Sequence, residues 1–482
     1  MFQHTDSRSL SRTREREINK QQKDIYNRIH SIAEDSEFVL AISQRFPDFP
    51  VIANQRCGAW YVNPETSPTC SVYFKSTDGH DGQWQFSVRR SNLHLVSVIT
   101  DHKGVLIVDS TRRGKRFPDA LSKTVPAWCA VLNLARLKLA NQHPIAKEDL
   151  EFWLDERLTG LSTPPKAVRA SEHDQIRKKV GSWAEELLSS AFDFRRSLLQ
   201  LKRPLRPVWC CPASISVVDT DIHLSDDKLP SYYTVVCVSA SKLISDHPMS
   251  NVPCGYNYVQ GAGDDHEAWS QDLTPKLFWK YRKRIMSTSR HDLPELFQDI
   301  LGEEIKCDPS TVLQQNFAIQ KTSLTVCLAD GLQELGSGSH ADASLTVLVS
   351  ASTRQIHFAM KGNTTKEPFQ IGGGVSTLKN LDKILSYVTP VCVRALRNKD
   401  RVCIIAGGTD VSESQQFVVA IVICVLVEAF DDNLLLRTQT IPRIDKALIR
   451  SRLQWMIEAS DGKLNPQRSV LKRVNNHLIA VP

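Results

Sequence analysis

The chain has 482 residues, 41% of them hydrophobic and 23% charged, with 60 Lys and Arg against 53 Asp and Glu. Those proportions fit a folded protein of two or three domains and exclude wholesale disorder. A net charge of +7 permits an anionic partner without requiring one.

The opening segment, MFQHTDSRSLSRTRERE, lacks the apolar stretch of a secretory signal. Residues 13–45 then read as one long charged helix with Ile18, Ile25, Ile29 and Ile32 at helical spacing, ended by Pro47 and Pro50. Strand-like runs follow at 71–76, 84–89, 94–99 and 104–109, with turn signals at Asp78-Gly79 and Lys103-Gly104. Helices are expected at 121–142 and 147–158, and 160-GLSTPPKAVRASEHD-174 reads as a linker or lid. The next helix carries Ile176, Val180, Trp183, Leu187, Phe194 and Leu198 on one face, and strands return at 208–210 and 232–239.

A domain boundary is placed near 310, dividing the chain into 1–310 and 311–482. Beyond it come strands at 345–350 and 355–360, a helix over 376–397, a strand at 401–406, and an apolar helix to Phe430. Helices near 443–459 and 465–480 close the chain. The expected fold class is α/β in two domains: a mixed α/β domain, then a mostly parallel sheet flanked by helices.

The longest apolar run, 417–427, is too short to span a bilayer, so no membrane association is expected. Twelve cysteines form no CxxC pair, which suits reduced thiols in the cytosol or nucleus. No HExxH, Cys/His finger, GxGxxG or Walker A pattern is present.

Five constellations could carry chemistry. In 105-VLIVDSTRRGKRFPDALSKTVPAW-128 a strand runs into a basic turn and then a helix. That geometry faces an anion with backbone N–H groups, hydroxyls of Ser110 and Thr111, and the charges of Arg112, Arg113 and Lys115. A solvated basic loop is the competing reading. The stretch 73-YFKSTDGHDGQWQFSVRRSNLHL-95 reads as a hairpin carrying Lys75, His80, Arg89, Arg90 and His94 among aromatics, as an RNA or phosphate site would. In 256-YNYVQGAGDDHEAW-269, Asp264, Asp265 and Glu267 follow two glycines. They could hold Mg²⁺ or take a proton, or be acids favoured at a helix N-terminus.

The fourth, 402-VCIIAGGTDVSESQQ-416, resembles the phosphate loop of dual-specificity phosphatases, but no frame supplies both a nucleophilic Cys and an Arg. Ile404 and Asp410, or Cys403 and Thr409, occupy those places, so phosphatase chemistry is not expected. Backbone amides at Gly407, Gly408 and Thr409 remain able to hold a phosphate. Last, Arg450, Arg452, Arg468, Lys472 and Arg473 lie on the C-terminal helices as a solvated face or an RNA contact.

Together these motifs, from near residue 57 to the end, resemble the initiator tRNA 2′-O-ribosylphosphate transferases. The resemblance implies a cytoplasmic enzyme that moves the ribosyl 5-phosphate of phosphoribosyl pyrophosphate onto the 2′-hydroxyl of purine 64 in the T-stem of initiator tRNA. That modification would keep the tRNA out of elongation. It also implies a C-terminal domain like a dual-specificity phosphatase. Two departures from the family loop stand out: Thr409 where Lys is usual, and the polar run 413–416.

On this basis Lys75, Ser110, Thr111, Arg112, Arg113 and Lys115 are expected at the donor phosphates, with the 407–409 loop. Asp264, Asp265 and Asp109 are the candidate catalytic carboxylates, the first two also for Mg²⁺. Arg89, Arg90, His94 and the C-terminal basic residues are expected on tRNA. A non-catalytic RNA-binding pseudophosphatase is the alternative.

Overall fold

The computed structural model describes residues 23–66, 72–76, 82, 84–112, 114–190, 194–213, 230–244, 255–306, 314–319, 322–329, 343–350, 355–360, 363–364, 369–370, 380–407, 411–431, 435–437, 444–460 and 463–479. Two compact units emerge, one over Met1–Ser189 and Asp193–Glu304, the other mainly Ile305–Pro482.

The first unit is built on strands β1 (Val51–Ala53), β2 (Gly104–Asp109), β3 (Leu205–Cys210) and β4 (Tyr233–Ser239), in the order β1-β2-β4-β3. All three pairings are parallel, and every residue of β2 and β4 is buried. That burial explains why VLIV and TVVCV are continuous apolar runs rather than alternating ones. Helix α1 (Ile25–Ser43) lays Ile29, Ile32, Val39 and Ile42 into the core that contains Leu106, Val108, Val236 and Val238. Residues 13–22 of the expected helix lie outside the described residues.

The strand expected at 94–99 is instead helix α2 (His94–His102). Leu95, Val96 and Ile99 are buried together at helical spacing, so packing overrides the strand preference of the β-branched residues. The hairpin expected over 73–95 is also replaced among the described residues. Val72 makes only an isolated bridge to Asn54, and Val88–Arg90 is a single 3₁₀ turn. His80 and the Asp78-Gly79 turn lie outside the described residues. Helix α3 (Val125–Lys138) follows a π-helical turn over Ala120–Thr124, and α4 (Ala170–Leu188) packs on it.

The second unit holds β5 (Gln314–Ala318), β6 (Leu324–Ala329), β7 (Leu345–Ser350), β8 (Gln355–Met360), β9 (Asn363–Thr364), β10 (Phe369–Gln370) and β11 (Val402–Gly407). The sheet runs β10-β8-β7-β11-β6-β5, with β9 on β8. Parallel pairing is found at its centre, where β11 lies between β6 and β7; the flanking pairs are antiparallel. Helices α5 (Leu381–Arg397), α6 (Val411–Ala429), α7 (Lys446–Ala459) and α8 (Arg468–Ile479) complete the unit. From Phe417 to Val427 every side chain of α6 is fully buried, so this stretch is apolar all round because it has no solvent face. Among the described residues no helix is long and apolar enough to cross a membrane.

Candidate active site at the carboxyl ends of β2 and β4

Ligands of open parallel sheets gather beyond the carboxyl ends of the strands, and here Asp109 ends β2. Its carboxylate is fully buried and surrounded by donors. Oδ2 accepts from Asn54 Nδ2 at 2.9 Å and Arg56 Nε at 3.2 Å. Oδ1 accepts from Arg56 Nη2 at 3.2 Å, the Cys57 thiol at 2.9 Å and the Ser110 amide at 2.8 Å. Asp109, a candidate base from sequence, is thereby committed to holding Arg56. The loop carrying Asn54, Arg56 and Cys57 can approach β2 because Gly58 has no Cβ; one would strike the Val108 carbonyl.

Arg56 continues to the second carboxylate, donating from Nη1 to Asp264 Oδ1 at 2.7 Å, and to the Ser110 carbonyl from Nη2. The Asp264 side chain is only 6% exposed. Its other oxygen, Oδ2, is buried without a hydrogen-bond partner and lies 3.7 Å from Arg112 Nε. Burial raises the Asp264 pKa, and Arg56 pulls against that rise. Asp265 adopts a left-handed backbone (φ 50°) that turns its carboxylate to solvent, where Oδ2 accepts from Arg112 Nη2 at 2.5 Å. Arg112 itself is 65% exposed, a cation at the mouth of an otherwise buried charge cluster. The acids therefore sit in a turn ahead of a single 3₁₀ turn, His266–Ala268, not at the start of a long helix.

This geometry does not fit a protein-held Mg²⁺ between Asp264 and Asp265. Arg56 and Arg112 already neutralise the pair. The buried Cys57 thiol is no nucleophile either, since burial, then Asp109, raise its pKa well above the usual thiol value.

Residues 18–302, more than half of the chain, match the Rit1 N-terminal domain, and 366–478 match the Rit1 DUSP-like domain. The chain belongs to the Rit1 family. It is 29% identical over 511 aligned residues to the tRNA A64-2′-O-ribosylphosphate transferase of Saccharomyces cerevisiae, covering 96% of this chain and 94% of that one. An uncharacterized protein of Schizosaccharomyces pombe is 39% identical over 286 residues, covering 59% of this chain and 58% of its own length. No solved structure matches the chain.

In this Rit1 chain, Ser110 and Thr111 are buried, and the Ser110 hydroxyl lies 2.6 Å from that of Ser241. That corrects the expectation of a free phosphate-binding hydroxyl at 110: it is used inside the fold. Lys115 and Lys123 both reach Asp119 at 3.2 Å, and Lys123 also pairs with Glu172 at 2.7 Å. Lys75 is exposed, and its carbonyl accepts from Thr124 Oγ1 at 2.8 Å, which places its backbone beside the π-helical turn Ala120–Thr124. Arg90 stacks over the Tyr73 ring at 3.8 Å, and His94 opens α2 half-buried. Arg113, Gly408 and Thr409 lie outside the described residues, as does the Arg89 side chain. Gly407 ends β11 in the second unit, its carbonyl accepting from Ser414 Oγ at 2.7 Å.

Arg450, Arg468 and Lys472 are exposed, and Arg473 lies 3.9 Å from Asp382. Arg452 is a correction. It is fully buried, donating to the Phe430 carbonyl at 3.2 Å with its guanidinium over the Trp455 ring at 4.0 Å, so it cannot face RNA. Sequence reasoning missed Arg56, the residue that joins Asp109 to Asp264. The only signal was the polar NQRCG run, and the three-residue strand ahead of it is too short to detect.

Proposed function

We propose that the chain transfers the ribosyl 5-phosphate of phosphoribosyl pyrophosphate to the 2′-hydroxyl of purine 64 in the T-stem of initiator tRNA, excluding that tRNA from elongation. The observation that carries this reading is the exposed Arg112 set against the buried Asp264 beyond β2. It occurs in a chain aligned almost end to end with a tRNA A64-2′-O-ribosylphosphate transferase. Arg112, with Lys115 nearby, offers charge to the donor, which enters as its magnesium salt.

The acceptor oxygen bonds to the anomeric carbon, the bond from that carbon to pyrophosphate breaks, and pyrophosphate leaves with the electron pair. Of Asp109, Asp264 and Asp265, Asp264 alone has a buried oxygen without a hydrogen bond, so its Oδ2 is assigned to take the hydroxyl proton. No covalent enzyme intermediate is required, in keeping with the raised Cys57 pKa and the broken phosphatase loop. Positioning and charge neutralisation supply the rest.

The test is labelled donor with Mg²⁺ and mixed tRNAs, for the wild-type chain and Arg112→Ala. Label should enter initiator tRNA with the wild type, and Arg112→Ala should abolish transfer while nearly preserving tRNA affinity. Binding of tRNA without incorporation would favour the RNA-binding adaptor. Phosphate release from generic phosphoesters would favour a phosphatase with a rearranged site.

A further inference from the structure

Helix α1 does more than fill the core. Asn27, Ser31 and Asp35 fall at i, i+4 and i+8, and all three are buried. Asn27 Oδ1 accepts from the Asn257 amide at 3.1 Å, and Ser31 Oγ accepts from the Val259 amide at 2.8 Å. Asp35 Oδ2 accepts from Ser241 Oγ at 2.9 Å, and that hydroxyl accepts from the Gly261 amide at 3.1 Å. The match is geometric: four helical residues rise about 6 Å, and two residues of extended chain advance about 6.6 Å. One polar stripe thus registers alternate residues of the segment that leads to Asp264. Arg28 adds the last ties, donating from Nη1 to the carbonyls of Ala262 at 2.7 Å and Asp264 at 3.0 Å.

The stripe also reaches the other half of the site. Ser241 lies 2.6 Å from the Ser110 hydroxyl at the end of β2, and the buried Tyr61 phenol accepts from the Gly263 amide at 2.8 Å. Asp35 is anchored on its second oxygen by Tyr258 at 2.7 Å. A run of hydrogen bonds therefore passes from Asp35 through Ser241 to Ser110, tying Gly261 on one side to the end of β2 on the other.

We propose that Asp35 is a positioning residue: acting through Ser241, it fixes the separation between the Arg112 loop and Asp264 without touching either substrate. The idea rests on the transferase reading above. Its consequence is specific, because slack in this tie would let the exposed cation and the buried base drift apart while leaving the tRNA surface alone. Misplacement on the ångström scale at a reacting centre costs about a hundredfold in rate.

The test uses the full chain with Asp35→Asn, Ser241→Ala and the double variant, measuring transfer of label at saturating donor and tRNA, KM for donor, tRNA affinity and thermal midpoint. Each single change should lower kcat by about tenfold to a hundredfold with tRNA affinity unchanged. The double variant should lose no more than the worse single, since both cut one chain of bonds. Should Asp35→Asn fail to fold, Ser241→Ala, which removes one oxygen, carries the test alone. A kcat within twofold of wild type, or losses that multiply in the double variant, overturns the proposal. Absence of transfer by the wild-type chain would instead overturn the transferase reading.

Discussion

Arg56 spans two carboxylates: Nε and Nη2 close on the two oxygens of Asp109 at 3.2 Å each, and Nη1 reaches Asp264 Oδ1 at 2.7 Å. One guanidinium thereby locks the buried end of β2 to the turn that carries the proposed base. Only Arg has the planar fork for this, since Lys presents a point charge.

Arg56→Ala leaves two acids facing each other in a buried site, and the fold should lose about 3–5 kcal/mol, as when one partner of a buried ion pair is removed. Arg56→Lys should recover part of this. Urea denaturation of the variants gives the answer, and midpoints equal to wild type would mean that the cluster does not hold the unit together.

Asp264 must be ionised to accept a proton. Burial raises its pKa above the ordinary value of 3.8, with Arg56 opposing. The group is protonated and inactive at low pH and becomes active as pH rises through its folded pKa, so the acid limb of kcat should have its midpoint above 3.8. Asp264→Asn should lower kcat by about 10²–10⁴-fold, the range for loss of a general base, and remove the limb. A pH–rate profile for both proteins at saturating substrates checks this.

Gly261 has φ +69°, and a Cβ there would sit 2.7 Å from the Thr111 carbonyl. Gly261→Ala combines left-handed strain with a backbone clash across the site, and should destabilise the protein by roughly 1–3 kcal/mol. Transfer should fall with it, because the clash pushes the Arg112 loop away from the acidic turn. A thermal midpoint and a labelled-donor assay on the same preparation read both effects.

The basic residues of the second unit divide by burial. Arg468→Ala and Lys472→Ala should each flatten the salt dependence of tRNA binding by about one unit of slope, if they meet phosphates. Arg452→Ala should leave that slope alone and instead destabilise the fold by roughly 1–3 kcal/mol, because a fully buried side chain stacked on Trp455 is lost and the Phe430 carbonyl keeps only its bond from Arg437 Nε. Filter binding over a range of salt, beside thermal melts, separates the two behaviours.

Long elements with a strong pattern were legible in the chain: β2, β4, β7, β8 and the helix over Val411–Ala429 lie where apolar periodicity puts them, whereas the helix expected to run on through Phe194 and Leu198 stops at Leu188, and those two residues belong to a separate short helix, Arg195–Leu198, and its N-cap. Failure came where the local preference and the packing disagree. The LVSVIT run of α2 has the composition of a strand, but burial of Leu95, Val96 and Ile99 on one side makes it a helix. Strand β6 was missed because its polar approach masks LTVCLA, although β11 pairs along nearly its whole length with it. In the site, Arg112 and Asp264 stood out as a basic turn and an acidic cluster. Arg56, Ser241 and Asp35 did not, since their meaning lies in contacts with residues up to 223 positions away in the chain.

The helix Val411–Ala429 leaves VVAIVICVLV, uncharged and rich in β-branched side chains, with no face of its own for water. Concealment of that stretch depends entirely on the sheet and helices around it. Once the second unit opens, the segment has the composition that self-associates into intermolecular strands. Heat inactivation of this protein should therefore be irreversible and faster at higher protein concentration, with shelf life set by how slowly the second unit unfolds.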